Sequence, residues 1–318
     1  MLHATPAPDR SWRVVRRLAL RYRGGSDPDH DRPAHVRAAS ALTVWRGQVA
    51  VVSDDASFVA TVDLGTGLCD PIALPAGPDG RRQFDSGRGN KAAKLDLEAC
   101  VTLDGALVAL GSDSGLAIRR QAAVVDAGGA RLVALPRLYA ALRQPILGAG
   151  ALNLEGATVV GDQLVLGNRG GDVGADGVAT IDAIARVPLD ALRALLADPD
   201  GAALPAIAWT PLALGQLADV ALRLTELEAW GDDLAFAATA EATASAYDDG
   251  AVVGSVIGAV AGARAWWAAI VDEDGRPLTA KVEGLVRFHD RWLASIDADD
   301  PARPSDLLEL ALAAPPPA

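Results

Sequence analysis

One two-armed pattern occurs five times along the chain and constrains its fold more than any other feature. Each copy has two apolar segments joined by a short turn, and an acidic or amide residue follows. The copies are Ser40–Asp55, Leu97–Asp113, Leu154–Asn168, Leu224–Glu241 and Val282–Asp297. Their turns, RGQ, DGA, GDQ, GDD and HDR, mostly carry Gly or Asp, as β-hairpin turns do, and their arms are rich in Val, Leu, Ala and Ile. The repeat therefore predicts an all-β chain of similar stacked units.

The segments after each hairpin predict how the units are completed. Two further strand-like segments follow each of the first four hairpins, and the third unit also contains a short helix in LDALRALLADPDG. Only SDLLELALA follows the fifth hairpin, and the apolar segment Trp12–Tyr22 is the candidate for its missing strand. Four-stranded units closed by an N-terminal strand describe a five-bladed β-propeller, in which ring closure removes exposed sheet edges. A pair of β-sandwiches or an open solenoid is the alternative.

We therefore expect a single β-propeller domain over residues 1–318. Its blades are expected to cover approximately 40–80, 95–137, 152–215, 223–281 and 282–312, with a closing strand at 12–22 and a disordered tail at 314–318. The apolar run 251–271 is long enough to span a bilayer, but it contains Arg264, which is costly in lipid, and several glycines. This run is predicted to form two buried strands instead.

Charge and composition narrow the classes of function. The chain has 41 Asp and Glu against 29 Lys and Arg, a formal net charge of −12 at pH 7. An acidic chain without a Lys/Arg block is a poor partner for nucleic acid or an anionic membrane surface. Two cysteines, Cys69 and Cys100, and four histidines indicate neither a disulfide framework nor a thiolate–imidazole zinc cluster. The first residues lack the apolar run of a secretory signal, so a cytoplasmic protein is expected.

Polar residues recur at two places in the repeat. In a propeller the first strand of each blade lines the central channel, and antiparallel pairing puts its start beside the end of the second strand. First strands begin with Glu98, Glu155 and Glu283, and two residues earlier stand Asp96, Asn153 and Lys281. Second strands end with Asp54, Asp113, Asn168, Glu241 and Asp297, and Arg169 comes next in the third unit. We expect all of these side chains at one end of the channel.

Two units depart from this pattern. Alignment of the turn GDDL with GDQL puts Thr225 at the position of Glu155, so Glu228 is interpreted as an ordinary strand residue. In the first unit, Ser40 or Ala41 stands where the others have Glu. The predicted site is therefore asymmetric, acidic in the second and third units and mixed elsewhere.

A cation is expected among these carboxylates, because like charges at short range raise one another's pKa unless a cation lies between them. Lys94, Lys281, Arg223 and Arg169 would supply that cation internally and form a salt-bridged plug. Calcium is the alternative, since carboxylate and amide oxygens are its usual ligands. The predicted calcium ligands are Asp96, Glu98, Asn153 and Glu155.

The segment that follows the fourth hairpin leaves its second strand on the same face. It contains Tyr247 and Asp249, which are expected either to contact a ligand as part of a lid or to lie in a hairpin that extends the fourth blade. The chain has no GxSxG, HExxH or CxxC motif, and His289 falls in a turn on the opposite face. The motifs therefore indicate neither a nucleophilic serine nor a zinc hydrolase.

Several short segments resemble a largely uncharacterised group of bacterial β-propeller proteins. They are KLDLEA at 94–99, LGSDSG at 110–115, LNLEGA at 152–157, GNRGG at 167–171, the stretch 240–258 and KVEG at 281–284. More distantly, they are similar to esterase-like and phytase-like propellers with Asp-x-Glu-Gly strand starts. This resemblance implies calcium, hydrolysis of esters or phosphoesters, and a polar ring of Asp96, Glu98, Glu155 and Glu283.

Two functional hypotheses follow. The first is a calcium-assisted hydrolase of a small ester or phosphoester that has Glu241 or Glu283 as the general base. Lys94, Arg169 and Lys281 would then bind the substrate's anionic group. The second is a non-catalytic propeller that binds a ligand or a protein partner through the same face, with Tyr247 and Asp249 among the contacts.

Overall fold

The predicted all-β class is confirmed. The computed structural model describes residues 1–148, 152–171, 177–242 and 250–313. Two α-helices lie within these ranges, α1 (Pro136–Leu142) and α2 (Leu189–Ala197), and α2 is the helix that the sequence predicts. Short 3₁₀ turns lie at Pro28–His30, Pro78–Gly80, Lys91–Ala93, Ala117–Arg119 and Pro145–Leu147. In the described ranges no helix has the length and apolar character needed to cross a membrane. The predicted tail at 314–318 lies outside the described residues.

Three strands come first in the chain, followed by two antiparallel groups. The first three are β1 (Leu2–Pro6), β2 (Ser11–Ala19) and β3 (Arg21–Tyr22). Group one comprises β4 (Ala39–Trp45), β5 (Gln48–Ser53), β6 (Phe58–Val62) and β7 (Leu68–Ala73). Group two comprises β8 (Leu97–Leu103), β9 (Ala106–Gly111), β10 (Gln121–Asp126) and β11 (Gly129–Ala134). Within each group, consecutive strands pair antiparallel.

Three further groups follow in the same manner. Group three comprises β12 (Leu154–Val160), β13 (Gln163–Asn168), β14 (Ala183–Pro188) and β15 (Ala208–Ala213). After the short β16 (Gln216–Leu217), group four comprises β17 (Val220–Trp230), β18 (Asp233–Ala242), β19 (Ala251–Ala261) and β20 (Arg264–Val271). Group five contains β21 (Val282–Phe288), β22 (Arg291–Ile296) and β23 (Asp306–Ala313). The apolar run 251–271 thus forms two strands, as the sequence predicts.

The N-terminal strands connect the outer strands of four groups. Strand β2 pairs antiparallel with β23 and becomes the fourth strand of group five, and it also pairs parallel with β20 of group four. Strand β1 pairs parallel with both β15 and β20, and β3 pairs parallel with β7 of group one. The pairings of β1 and β2 help to build a mixed sheet of 14 strands, whereas β3 joins β4–β7 in a separate sheet of five strands. The segment predicted as one strand, 12–22, is therefore divided after Ala19 between two groups, and β1 was not predicted.

The first strands of the groups, β4, β8, β12, β17 and β21, stand side by side in cyclic order, with β21 returning to β4. We call this arrangement the ring of first strands. A layer of buried apolar side chains separates each neighbouring pair of groups. Val49 and Val51 of β5 face the layer toward group five, whereas Ala50 and Val52 face the layer toward group two. The hairpin arms are mostly apolar because successive side chains are buried on opposite faces of the same strand.

Tight turns join first and second strands at one end of the ring. Arg46 and Gly47 both have positive φ, and so do Asp104 and Gly105. Two consecutive positive φ values are the signature of the type I′ turn, whose twist matches that of a hairpin. His289 lies in the corresponding turn of group five. The starts of the first strands lie at the opposite end of the ring.

Candidate functional site

One residue in each first strand is left out of the pairing with the second strand. These bulged residues are Ser40, Glu98, Glu155, Thr225 and Glu283. A bulge re-aims its side chain and often lies beside a functional site. The register agrees with the turn-based alignment that puts Thr225 at the position of Glu155, and it identifies Ser40 as the residue of group one. We call the end of the ring that carries these residues the bulge end.

Small residues after the bulges let neighbouring first strands approach closely. A Cβ atom on Gly156 would lie 2.7 Å from the backbone nitrogen of Leu227, and one on Gly284 would lie 2.8 Å from Cγ of Leu42. Contacts this short would force the strands apart. The Glu-Gly pairs of groups three and five therefore combine an acidic side chain with a backbone that fits the narrow ring.

A lysine lies between two aspartates at the bulge end. The Nζ atom of Lys94 is 2.5 Å from Oδ2 of Asp54 and 2.6 Å from Oδ1 of Asp96. Burial would lower the pKa of Lys94, but these carboxylates raise it well above its usual value. The other oxygen of Asp96 lies 3.0 Å from Nη1 of Arg119 and accepts a hydrogen bond of 2.7 Å from the Ser114 hydroxyl. Burial opposes ionisation of Asp96, and the nearby cations outweigh it and lower its pKa.

The Glu98 carboxyl has a different environment. Among the described residues, no hydrogen bond or ion pair joins it to another side chain. Burial raises its pKa well above the usual value, and the charges of Asp54 and Glu155 add to the effect. Oxygen atoms of Asp54, Asp96 and Glu98 lie within 4.8 Å of one another, an arrangement compatible with a metal ion.

A second network of alternating charges begins at Glu155. Its Oε1 atom accepts a hydrogen bond of 2.8 Å from the amide of Asn153 and lies 3.5 Å from Nη1 of Arg169. The other terminal nitrogen of Arg169 lies 3.2 Å from Oε1 of Glu241, and Nζ of Lys281 is 3.8 Å from the same oxygen. Groups three, four and five are thus connected by ion pairs at the bulge end.

Glu283 ends this network. Its Oε1 atom is 2.5 Å from Nζ of Lys281. Burial raises the pKa of Glu283 to about 7, with Glu155 adding to the rise and Lys281 opposing it. Asp297 also has a raised pKa, because it is buried and lies near the charges of Glu283 and Asp54. The bulge end therefore holds carboxyl groups that favour the neutral form beside others that are paired with cations.

Some predicted site residues have structural partners instead. Asp113 is fully buried, and its two oxygens bind Arg120 at 2.7 Å and Arg143 at 2.6 and 2.7 Å. Arg223 pairs with Asp182 at 3.2 Å. Within the part of the chain that the structure describes, neither Asp113 nor Arg223 forms a hydrogen bond or ion pair with a member of the two networks described above.

Asn168 also has a structural role. Its Oδ1 atom accepts from the backbone N–H of Asn153, and its amide donates to the carbonyl of Ile181. The side chain therefore holds the segment that precedes the Glu155 bulge.

The predicted calcium ligands fall into two sets. Asp96 and Glu98 lie close to Asp54, whereas the side-chain amide of Asn153 donates a hydrogen bond to Glu155. The spacing of the first set fits calcium, because two Ca–O bonds of roughly 2.3–2.6 Å span the separation of its oxygen atoms. Lys94 competes for the same carboxylates. Tyr247 and Asp249 lie outside the described residues.

Sequence reasoning missed several members of these networks. The metal set omitted Asp54, and Arg119, Ser112 and Ser114 were not recognised as partners of Asp96. The motif LGSDSG at 110–115 was the available signal for the serines, since polar residues follow the second strand there. No comparable signal marks Arg119.

Three of the solved structures that are similar to this chain come from bacteria. The Myxococcus xanthus glutaminyl cyclase is 13% identical, with 96% of this chain and 98% of that chain covered and a TM-score of 0.49. A putative exported protein of Bacteroides fragilis is 9% identical, with 98% and 99% covered and a TM-score of 0.46. A glycosyl hydrolase of Bacteroides ovatus is 12% identical, with 89% and 88% covered and a TM-score of 0.41. Likeness at this level says nothing about activity.

Sequence comparison gives a clearer result. No curated protein matches the chain. The model of DUF6929, a family of unknown function, matches residues 35–312, and the chain therefore belongs to that family.

Proposed function

We propose that the chain is a five-bladed β-propeller whose bulge end is the active site of a hydrolase for a small ester or phosphoester. The cyclic order of the first strands and the place of β2 beside β23 support the propeller. The likeness to esterase-like and phytase-like propellers stays a prediction. Calcium binding, the ester or phosphoester substrate class and a cytoplasmic location are likewise proposals.

The observation that carries the hydrolase proposal is the environment of Glu283. A carboxyl group with a pKa of about 7 is roughly half ionised at neutral pH, which suits a general base. It would take a proton from the attacking water and return it to the leaving oxygen. Lys281, 2.5 Å from Glu283, would stabilise negative charge on the reacting oxygen. Glu241 remains the second candidate base, since it shares both Lys281 and Arg169.

If calcium is bound, Asp54, Asp96 and Glu98 would hold it, and it would polarise the scissile bond. Lys94 would have to release both aspartates, since its ammonium group lies 2.5 and 2.6 Å from their oxygens. Considering only the described residues, Glu98 is the ligand that can bind without losing a hydrogen-bond or ion-pair partner. Its substitution is therefore the sharpest probe of the metal proposal.

Calcium is expected to raise the melting temperature of the parent protein, because a ligand that binds only the folded state stabilises it. At a calcium concentration about 100 times the dissociation constant, the gain would be about 2.7 kcal/mol. Thermal melts in calcium, magnesium and EDTA measure the effect. The Glu98→Gln variant should lose most of the response. Identical parent curves in calcium and EDTA would exclude calcium binding while leaving acid–base hydrolysis to be tested by turnover.

Turnover should rise with pH below neutrality. Glu283 acts as a base only when ionised, so kcat/KM is expected to increase tenfold per pH unit well below 7 and to level off above it. A panel of aryl esters, lactones and phosphoesters, assayed from pH 5 to 9, measures the profile. A substrate whose kcat/KM is flat from pH 5 to 7 would argue against Glu283 as the base.

The non-catalytic alternative is favoured by one observation. Lys94, Arg169 and Lys281 each contact two carboxylates of the protein, so their charges are already balanced. Such pairing suits a rigid surface that binds a ligand or a protein partner. Absence of turnover by the parent across the whole panel would favour this alternative.

A further inference from the structure

Two glutamates of β17 point into the ring of first strands below the bulge end. Glu226 is 1% exposed, and its Oε1 atom accepts hydrogen bonds from the backbone N–H groups of Leu227 at 2.9 Å and Ala157 at 3.2 Å. Ala157 belongs to β12 in the neighbouring group. Among the described residues, the Oε2 atom of Glu226 is buried without a hydrogen-bond partner.

Glu228 extends these contacts to the other side of β17. Its Oε1 atom accepts from the backbone N–H of Arg287 on β21 at 3.1 Å, and its Oε2 atom accepts from the Thr158 hydroxyl on β12 at 3.4 Å. The N–H groups concerned are not used in pairing with a second strand, since they lie on the edge of a first strand. A buried N–H without an acceptor is costly, and these carboxyls supply the acceptors.

Groups from the other four first strands lie near the two carboxyls. β8 contributes the Cys100 thiol, β4 the N–H of Leu42, β12 the Thr158 hydroxyl, and β21 the Arg287 guanidinium as well as its N–H. Glu226 and Glu228 themselves belong to β17. Their position is therefore at the centre of the ring.

We propose that Glu226 and Glu228 form a carboxyl plug that joins the first strands by hydrogen bonds and closes the ring below the bulge end. The plug restricts solvent and ligands to one entrance, at the bulge end. Because burial disfavours the charged form of both groups, the stabilisation that the plug contributes is expected to depend on pH. This expectation is independent of the hydrolase and calcium proposals.

The electrostatics agree with this geometry. Burial raises the pKa of Glu226 well above its usual value, with the N–H groups of Leu227 and Ala157 opposing the rise. Burial likewise raises the pKa of Glu228 to about 7, opposed by the N–H of Arg287. An acid whose pKa is higher in the folded state loses protons more readily on unfolding. Stability from these groups is thus fully present near and below pH 4 and falls as pH rises toward each folded pKa.

The test compares Glu226→Gln and Glu228→Gln with the parent in thermal melts from pH 5 to 9. Glutamine copies the neutral acid in shape and keeps a carbonyl acceptor, but it cannot ionise. Each variant is expected to gain in melting temperature relative to the parent as pH rises. The gain should level off near pH 7 for Glu228→Gln and continue to higher pH for Glu226→Gln. Glu309→Gln, at a partly exposed site of β23, is the control and should show no such trend.

The opposite result would overturn the proposal. A loss of stability in Glu226→Gln that is equal at every pH would show that the parent holds a charged carboxylate. Hydrogen exchange provides a second readout, because Glu226→Leu removes the acceptor and should speed exchange at Leu227 and Ala157. Unchanged exchange at both amides in a folded Glu226→Leu would show that the carboxyl does not lock the strands, and if that variant does not fold, the glutamine series decides.

Discussion

Replacing Glu283 with Gln is expected to reduce kcat/KM for the best substrate of the ester and phosphoester panel by about 10²–10⁴-fold, the usual contribution of a general base. Glutamine has nearly the same shape but cannot accept a proton from water. Its amide also cannot balance Lys281, whose Nζ atom lies 2.5 Å from the carboxyl in the parent. Initial-rate kinetics across pH measure both effects, since the residual activity should lose the acidic limb near pH 7.

Glu309 is the matched control for this substitution. It lies in the same group of strands, pairs with Arg291 at 3.5 Å, and stands opposite Leu293 of β22 rather than beside the Glu283 bulge of β21. Glu309→Gln should leave the rate and its pH dependence unchanged. If Glu283→Gln and Glu309→Gln had equal rates, Glu283 would not be the base, and Glu241→Gln would be the next variant to assay.

Trp12→Ala is expected to have the largest effect on stability, a loss of about 3–5 kcal/mol. Trp12 is fully buried where β2 lies between β20 and β23, and its ring meets that of Trp292 edge to face at a centroid distance of 5.7 Å. Its Nε1–H donates to the carbonyl of Ile257 at 3.1 Å. Alanine would leave a cavity and an unpaired acceptor. Urea unfolding followed by circular dichroism measures the loss.

Val15 provides the comparison on the same strand, because it is 52% exposed. Val15→Ala should change the free energy of unfolding by less than about 0.5 kcal/mol, as surface substitutions usually do. Similar losses in both variants would mean that β2 is held by its backbone alone. In that case the indole would not contribute the packing assigned to it.

The hairpins were predictable because each depends on local signals. The run VAVV at 49–52 of β5 is apolar throughout, since both faces of the strand are buried, and RGQ supplies the turn. Strand β1 had no such signal. Its sequence LHATP is short and polar, and its parallel partners lie more than two hundred residues later. Only the assembled ring shows that an outer edge is available to it.

For the candidate site, the positions of the residues in the repeat were predictable, but the pairing of cations with carboxylates was not. The repeated turns put Glu98, Glu155 and Glu283 at equivalent starts of first strands, and the structure has a bulge at each of them. Which cation meets which carboxylate depends on how far side chains reach between groups. Asp113 is the example, because it stands at the expected place in the repeat but binds Arg120 and Arg143.

Because Ser11 pairs with Ala313, the antiparallel pairing of β2 with β23 forms late in the folding of this chain. While the ribosome is still adding group five, β2 has already been synthesised but has no antiparallel partner. Its apolar side chains therefore have no side chains of β23 to pack against. Contacts between distant segments slow folding, because the entropy cost of closing the loop arises before the contact contributes any stabilisation. The nascent chain therefore carries β2 without its antiparallel partner until β23 has been synthesised, and the apolar side chains of Trp12 and Val14 are where a chaperone or an aggregating neighbour would first bind.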